Sequence, residues 1–441
     1  LRKTTPRRSQ AGFTSPPRRR DPIGILIAQD KVRVQDLVPI RYGRMSVSPF
    51  TYLRGAAAVM AYDLSKTPSS GIRVQCCGDA HLLNFGAYGT PERNLVFDVN
   101  DFDETLEAPF EWDVKRLAAS IHVACRDNGL TEDDARTAVL SMVSRYRSVM
   151  AELSQMNTLD VWYAKVDIEE LVARVTASLD KRAVKRLTKN IAKARGRNSE
   201  QVLGKLGTET KDGQVRIVDQ PPLVVHVMER SEMEQAAPVV LARYRETLQA
   251  DRQHLLDQYH VVDSARKVVG VGSVGLEARI ALFLGKDHTD PLFLQMKEAR
   301  QSVLAPYAGA SPYRHHGHRV VEGQRLMQAA SDIFLGWYTS PLPPRRQFYV
   351  RQLRDMKASV DTAKLDAAGM ALYGALCGGT LARAHARSGD TLLITGYLGG
   401  GDAFDVAIAD FARDYADRTE ADFALLKSAI DAGRVPCTPG V

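Results

Sequence analysis

The sequence predicts an α+β protein of two unequal lobes, one mainly helical and one built on a five-stranded sheet. Three observations predict it. Residues 265–356 are strand-rich and open on a glycine cluster. The stretches on either side carry apolar residues at three- and four-residue intervals, the helical period. The acidic loops lie far upstream, between residues 78 and 104. A chain of 441 residues has room for two or three lobes or domains with ample core.

In chain order, residues 1–20 read as a disordered basic tail and 21–156 as part of the larger lobe. That part holds an Ala-rich helix at 52–64, a break at Thr67–Gly71, a short strand at 72–75 and a second strand at 94–99. A helical pattern follows from Trp112 to about Met156. Residues 157–260 read as a mainly helical insertion or extension of the larger lobe, with strand at 214–228 broken by Pro221-Pro222 and one long helix at 231–259. Residues 261–356 form the smaller lobe, with one clear helix around 318–330, and 357–441 return to helix apart from Gly399-Gly400-Gly401.

The net charge of +7 points to nucleic acid until it is located. Arg2, Lys3, Arg7, Arg8, Arg18, Arg19 and Arg20 supply seven positive charges with no acid among them, so the remaining chain is formally neutral. Residues 181–197 hold eight Lys or Arg but no aromatic residue to stack on bases, and a solvated helix face is expected. A nucleic-acid partner is not expected. No apolar run reaches the length of a membrane span, and no signal-peptide pattern opens the chain. Cys76, Cys77, Cys125, Cys377 and Cys437 have no C-x-x-C spacing, so a reducing cytoplasm is expected.

Gly270-Val271-Gly272-Ser273-Val274-Gly275 matches G-x-G-x-x-G, which two phosphate-binding designs share. A dinucleotide site needs a helix directly after the glycines. Here a strand-like run, 278–284, a turn-rich loop and a second strand ending at Lys297 follow instead. Strand, glycine loop, strand, turn and strand with a lysine is the small-lobe order of kinases. There the glycines close over the phosphates and the lysine pairs with them. Glu322, on the next helix, is the first choice to hold Lys297, because Glu298 would point to the opposite face of the strand.

The acidic half begins at Gly78-Asp79-Ala80-His81-Leu82-Leu83-Asn84, with Asp and Asn five residues apart. This string resembles the catalytic loop of the aminoglycoside and choline phosphotransferase group, except that Cys77 stands where that group has His before the Gly. The resemblance implies that Asp79 accepts the proton of an attacking hydroxyl and Asn84 holds magnesium. The run from Leu95 to Asp103 resembles the same group's strand ending in Asp-Phe-Asp. It implies Asp101 as the main magnesium ligand, Asp103 as a second, and Asp98 as the rival to Asp101. Trp112-Asp113-Val114 resembles that group's helix start, with Asp113 capping the helix and bracing the loop. Arg314-His315-His316-Gly317-His318 is His-rich but has no acid beside it, so it is a poor basis for a metal-dependent phosphoesterase.

The glycine loop follows the acidic loop by about 190 residues, where a kinase has the reverse order. A circularly permuted, protein-kinase-like two-lobe fold reconciles the two halves. The strands at 333–338 and 347–353 would complete the small lobe, and 354–357 would form the hinge. Either the helix at 52–64 or the one holding Leu381–Ala386 would lead into the acidic loop. From about Asp21 to Ala432 the chain also resembles the bacterial family called domain of unknown function two-two-five-two, which is grouped with kinase-like folds. The likeness runs through Arg41–Met45, Gly78–Glu104 and Gly270–Ala299.

The expected activity is transfer of the γ-phosphoryl of ATP, with Mg2+, to a hydroxyl of a small molecule. Gly270, Gly272, Ser273 and Gly275 would cradle the phosphates. A nucleotide-binding regulator without turnover and nucleotidyl transfer to a protein are the alternatives.

Overall fold

The computed structural model describes residues 1–13, 19–176, 195–196, 199–209, 214–353 and 356–441. Most of the basic run at 181–197, and residues 354–355 of the expected hinge, lie outside the described residues. Helix and strand are both present in quantity, as an α+β class requires.

The larger lobe is built around the helix Phe110–Asp127, whose residues from Phe110 to Cys125 are all buried. A helix buried on every side is a central element rather than an amphipathic surface one. The helical pattern expected to run to Met156 is split: Gly129, at φ +73°, ends the first turn sequence, and Glu132–Leu153 starts anew on a Thr131–Asp134 capping box. Ala367–Ala386 lies against this second helix, and Ala403–Asp431 against both. Two small sheets sit at the end of the bundle that faces the smaller lobe. One pairs Arg73–Cys76 with Leu106–Pro109; the other pairs Phe85–Gly89 with Leu95–Val99, and Val166–Asp167 joins its edge.

The smaller lobe is a six-stranded antiparallel sheet. In spatial order its strands are Gly336–Thr339, Gln347–Gln352, Pro291–Glu298, Ala278–Leu284, His260–Lys267 and Val224–Val225. Five of these are the expected strands. The sixth, a two-residue edge against Arg266 and Lys267, falls in the strand expected at 214–228, which the structure splits into Val215–Ile217 and Val224–Val225 on either side of Pro221-Pro222. Helix His316–Met327 connects the third long strand to the fourth.

Described residues of 157–260 pack mainly on this sheet, so from 199 onward the segment extends the smaller lobe rather than the larger one. Val202 and Ile217 cover Ile280, Leu282 and Phe293 on one face. Tyr244, Leu248 and Leu256 cover Leu292, Leu294 and Phe348 on the other. The long helix expected at 231–259 is two helices, Arg230–Arg245 and Ala250–Leu256. The helix expected at 52–64 is likewise two, Pro49–Gly55 and Ala57–Leu64.

The N-terminal segment corrects the expectation of a disordered tail. Gln10 is fully buried and donates to the Tyr397 hydroxyl at 2.9 Å. Arg19 bridges the buried carboxylates of Asp63 and Asp422 at 2.6 and 2.7 Å. Two neighbouring carboxylates inside a protein need a cation, and this segment supplies it. No single described helix is long and apolar enough to cross a membrane; the bent pair Thr391–Leu398 and Ala403–Asp431 passes that test on composition.

Candidate functional site

The strand Arg73–Cys76 runs directly into the loop that holds Asp79. Asp113 braces this loop as expected, accepting from the backbone N–H of Cys77 at 2.7 Å and of Gly78 at 3.0 Å. It does so from inside the first turn, since the helix begins at Phe110, so its expected capping role is not observed. His385 Nε2 lies 3.3 Å from the same carboxylate, and the Tyr146 hydroxyl meets His385 Nδ1 at 2.9 Å. A buried imidazole from Ala367–Ala386 thus supports the loop beside Cys77, itself buried.

Asn84 donates its amide to the Asp79 carbonyl at 2.6 Å, which ties the two ends of the loop and leaves its side-chain oxygen for the cleft. Arg116 Nε donates to Asp79 Oδ1 at 2.6 Å. Burial still raises the Asp79 carboxyl above its ordinary range against the pull of Arg116. Burial also pushes His81 well below its usual value, so it is neutral, and its Nδ1 accepts from the Leu83 N–H at 3.2 Å.

The strand Leu95–Val99 sends its acids in different directions. Asp98 is fully buried, paired with Arg383 and accepting from the Ala329 N–H at 2.9 Å. Its oxygens are engaged inside the protein, whereas Asp101 is the one of the two that faces the cleft. Asp101 lines the cleft with about a third of its side chain (32%) exposed, 3.7 Å from Lys297 Nζ. Asp103 is committed: Lys297 Nζ donates to it at 2.5 Å and the Tyr349 hydroxyl at 2.6 Å. Burial alone would raise the Asp103 carboxyl, but Lys297 and Tyr349 hold it below the usual range.

Lys297 therefore finds its counter-charge on the acidic loop, not on the helix. Glu322, expected to hold it, faces away and pairs with Arg325 at 2.9 Å and His318 at 3.7 Å. Glu298 lies on the opposite face from Lys297, where it binds Arg346 and Arg300. The glycine loop joins His260–Lys267 to Ala278–Leu284, which pair antiparallel, so the loop is a hairpin end and no helix follows it. Gly270 and Gly275 take φ of +68° and +90°. Ser273 Oγ donates to Asp103 Oδ2 at 3.3 Å.

Together these segments wall one cleft. Asp79, Asn84, Asp101 and Asp103 line one side and Gly270, Gly272 and Ser273 the other. Gly275 and Lys297 stand behind this lining. Several contributors carried no sequence signal: Arg54 and Glu104 line the cleft, and Tyr349 is placed only by its register opposite Lys297. The His-rich stretch lies outside it, with His315 capping a helix and His318 stacked on Trp337 at 4.0 Å.

A divalent cation fits this arrangement through hard oxygens. Asp101 and the side-chain oxygen of Asn84 are turned to the cleft and are not consumed by protein donors in the way Asp103 is. Among the described residues the one His, Cys, Asp and Glu cluster tight enough to share an ion is Cys76, Asp113 and His385, which is buried and already hydrogen-bonded as the loop brace. The cleft is therefore no all-protein metal cage; it suits a cation that brings most of its own oxygens, as magnesium does on phosphates.

No curated protein and no solved structure matches the chain. A family model described as an uncharacterized protein conserved in bacteria, DUF2252, matches residues 33–429. The loop from Gly78 to Glu104 and the hairpin that carries Lys297 both fall inside that span, and the chain belongs to the DUF2252 family.

Proposed function

We propose that this protein is an ATP- and magnesium-dependent phosphotransferase with a kinase-like site on a circularly permuted two-lobe fold, acting on a hydroxyl of a small molecule. One observation carries the reading: Lys297 Nζ lies 2.5 Å from Asp103 and 3.7 Å from Asp101, although 194 residues separate the first pair in sequence. The sheet supports it. Counting from His260–Lys267, the five long strands lie in the order first, second, third, fifth, fourth, with the lysine on the third and a helix after it. That is the connectivity a kinase small lobe needs to set its lysine beneath the glycine loop.

In this reading the hairpin glycines approach the phosphates and Lys297 neutralises them, moving between Asp103 and the nucleotide. Asn84 and Asp101 would hold magnesium, which supplies charge neutralisation on the phosphate oxygens when bound. Asp79 orients the acceptor hydroxyl and takes its proton at Oδ2, since Oδ1 is engaged by Arg116. Burial raises its carboxyl, the direction a general base needs. Most of the rate enhancement would come from positioning and electrostatics.

The same Arg116–Asp79 ion pair favours a second reading, a nucleotide-binding regulator without turnover, because Arg116 occupies one carboxylate oxygen and opposes the rise that burial gives. Calorimetric titration of MgATP into wild type and Asp101→Asn tests the shared premise; binding should weaken at least about tenfold in the variant, a loss of about 1.4 kcal/mol. Equal affinity, or no binding to either, defeats both readings. ATP consumption across a panel of hydroxyl-bearing metabolites then separates transferase from regulator.

A further inference from the structure

Among the described residues six arginines approach the cleft and its rim, and five of them are committed, Arg44 by donating to the Gly270 carbonyl at 2.6 Å. Arg116 holds Asp79 and the Leu53 carbonyl. Arg33 donates to the Val274 carbonyl. Arg319 donates to the carbonyls of Thr105, Asp103 and Arg300. Arg351 donates to the Asn100 carbonyl at 3.0 Å. Arg54 is different. It lines the cleft half-buried, and among the described residues no carboxylate, carbonyl or hydroxyl accepts from its guanidinium. Its Nε is buried without a partner.

The position of Arg54 is fixed although its charge is free. It sits in the last turn of Pro49–Gly55, a helix started by a Ser48–Thr51 capping box and tied down by Arg116 through the Leu53 carbonyl at 3.0 Å. Its own carbonyl lies against the glycine loop, where a side-chain carbon on Gly272 would come within 3.1 Å. Arg54 thus stands between the glycine loop and the Asp79 loop, close enough for its charge to act on both Asp79 and His81. An arginine held in a cleft with its Nε buried and unpartnered is a costly arrangement unless a ligand completes it. Guanidinium geometry fits one class of ligand best, a planar or tetrahedral oxyanion. Burial lowers the affinity of Arg54 for its proton, and the nearby Asp79 charge only partly offsets this.

We propose that Arg54 is an oxyanion-binding residue of the cleft, engaging a phosphoryl group beside Asp79. Two sources share that chemistry: the γ-phosphate of the nucleotide, and an anionic group on the acceptor. The oxyanion site itself does not require the phosphotransferase reading; assigning its source does.

The test uses the full chain and the variants Arg54→Gln and Arg54→Lys. In the first arm, MgATP and MgADP are titrated into each. A loss of at least tenfold for MgATP in Arg54→Gln, with MgADP within twofold of wild type and Arg54→Lys intermediate, assigns the γ-phosphate. In the second arm, inorganic phosphate is titrated onto protein saturated with the β,γ-imido analogue of MgATP. A tenfold loss confined to this arm assigns an anionic acceptor. Both arms within twofold of wild type overturn the proposal.

The two readings can fail separately. If wild type binds no nucleotide, the phosphotransferase reading falls, while phosphate binding that depends on Arg54 still upholds the oxyanion site. If wild type binds neither, both fall. An independent measurement on the unmutated protein guards against a variant that does not fold: phenylglyoxal modification of Arg54, read by peptide mass spectrometry, should slow at least fivefold in saturating pyrophosphate. An unchanged rate overturns the assignment.

Discussion

Lys297 is buried, which by itself would ease loss of its proton, yet Asp101 and Asp103 hold the proton more tightly than in a free lysine. The partner effect falls on Asp103, whose carboxyl is depressed. A depressed carboxylate contributes stability that is present above the unfolded value of about 3.9 and lost as pH falls through the lower folded value. Lys297→Met should therefore cost about 3 kcal/mol at pH 7, because Asp103 is left with only the neutral hydroxyls of Tyr349 and Ser273 donating to it. The gap to wild type should close below about pH 4, where Asp103 protonates in the unfolded chain. Urea unfolding of both proteins between pH 3 and 7 measures this; a gap that stays constant refutes the pairing. Glu104 works the other way. Burial pushes its carboxyl up to about 7, against the Val303 N–H that it accepts at 2.7 Å. As pH rises through that value the cleft gains a negative charge, so binding of phosphates should weaken by a factor of about 3 to 10. Glu104→Gln should bind them with a shallower pH dependence than wild type between pH 6 and 8, and a profile unchanged from wild type would exclude Glu104 as a titrating group.

At the scale of elements, the helix Ala367–Ala386 matters because it brings His385 to the loop brace and must lie close against Glu132–Leu153 to do so. Gly378 permits the approach: a side-chain carbon there would sit 2.2 Å from the Met142 carbonyl oxygen, a backbone atom that cannot swing aside. Gly378→Ala should destabilise by about 1–3 kcal/mol through overpacking, despite the better helix propensity of Ala. Denaturant midpoints will show it, and a neutral or stabilised variant would mean the two helices separate freely. The loops and strands that carry Asp79, Asn84, Asp101 and Lys297 were legible because their signals are local: a fixed Asp-to-Asn interval, and a lysine at the end of a strand after a glycine hairpin. Glu322 was misread because a helix face is fixed by docking, not by spacing. Gln328 is turned to the larger lobe, reaching the Val99 carbonyl at 2.7 Å and Gln324 at 2.8 Å. Glu322, Arg325 and His318 share a different side of the same helix. Arg54 was invisible for the same reason, since only the packing of a short helix against the glycine loop gives it a role.

Across the whole molecule, composition located the excess charge but misjudged its state. The chain beyond residue 20 is formally neutral, and that balance conceals a local pair of buried acids, Asp63 and Asp422, that Arg19 satisfies. Neutrality on average says nothing about where charges meet. The junction between the lobes follows the same logic. Lys297 crosses it to Asp103; Arg319 crosses it to the carbonyls of Thr105 and Asp103 at 2.5 and 2.8 Å; Gln328 crosses it to the Val99 carbonyl; and Val303 donates to Glu104. Each crossing satisfies a buried polar group that would be orphaned if the lobes parted, at about 1–3 kcal/mol apiece. Opening one lobe alone would forfeit several of them together, so the lobes should melt as one. Differential scanning calorimetry should give a single transition whose calorimetric and van't Hoff enthalpies agree. Arg319→Met, which removes two of the contacts across the seam at once, should lower the midpoint and drop the van't Hoff enthalpy below the calorimetric one as the lobes uncouple. Two resolved transitions in the wild type would show that the seam does not couple them. The cleft between Lys297 and Asp101 would then be a hinge that opens on its own, not the rigid site on which the phosphoryl-transfer reading depends.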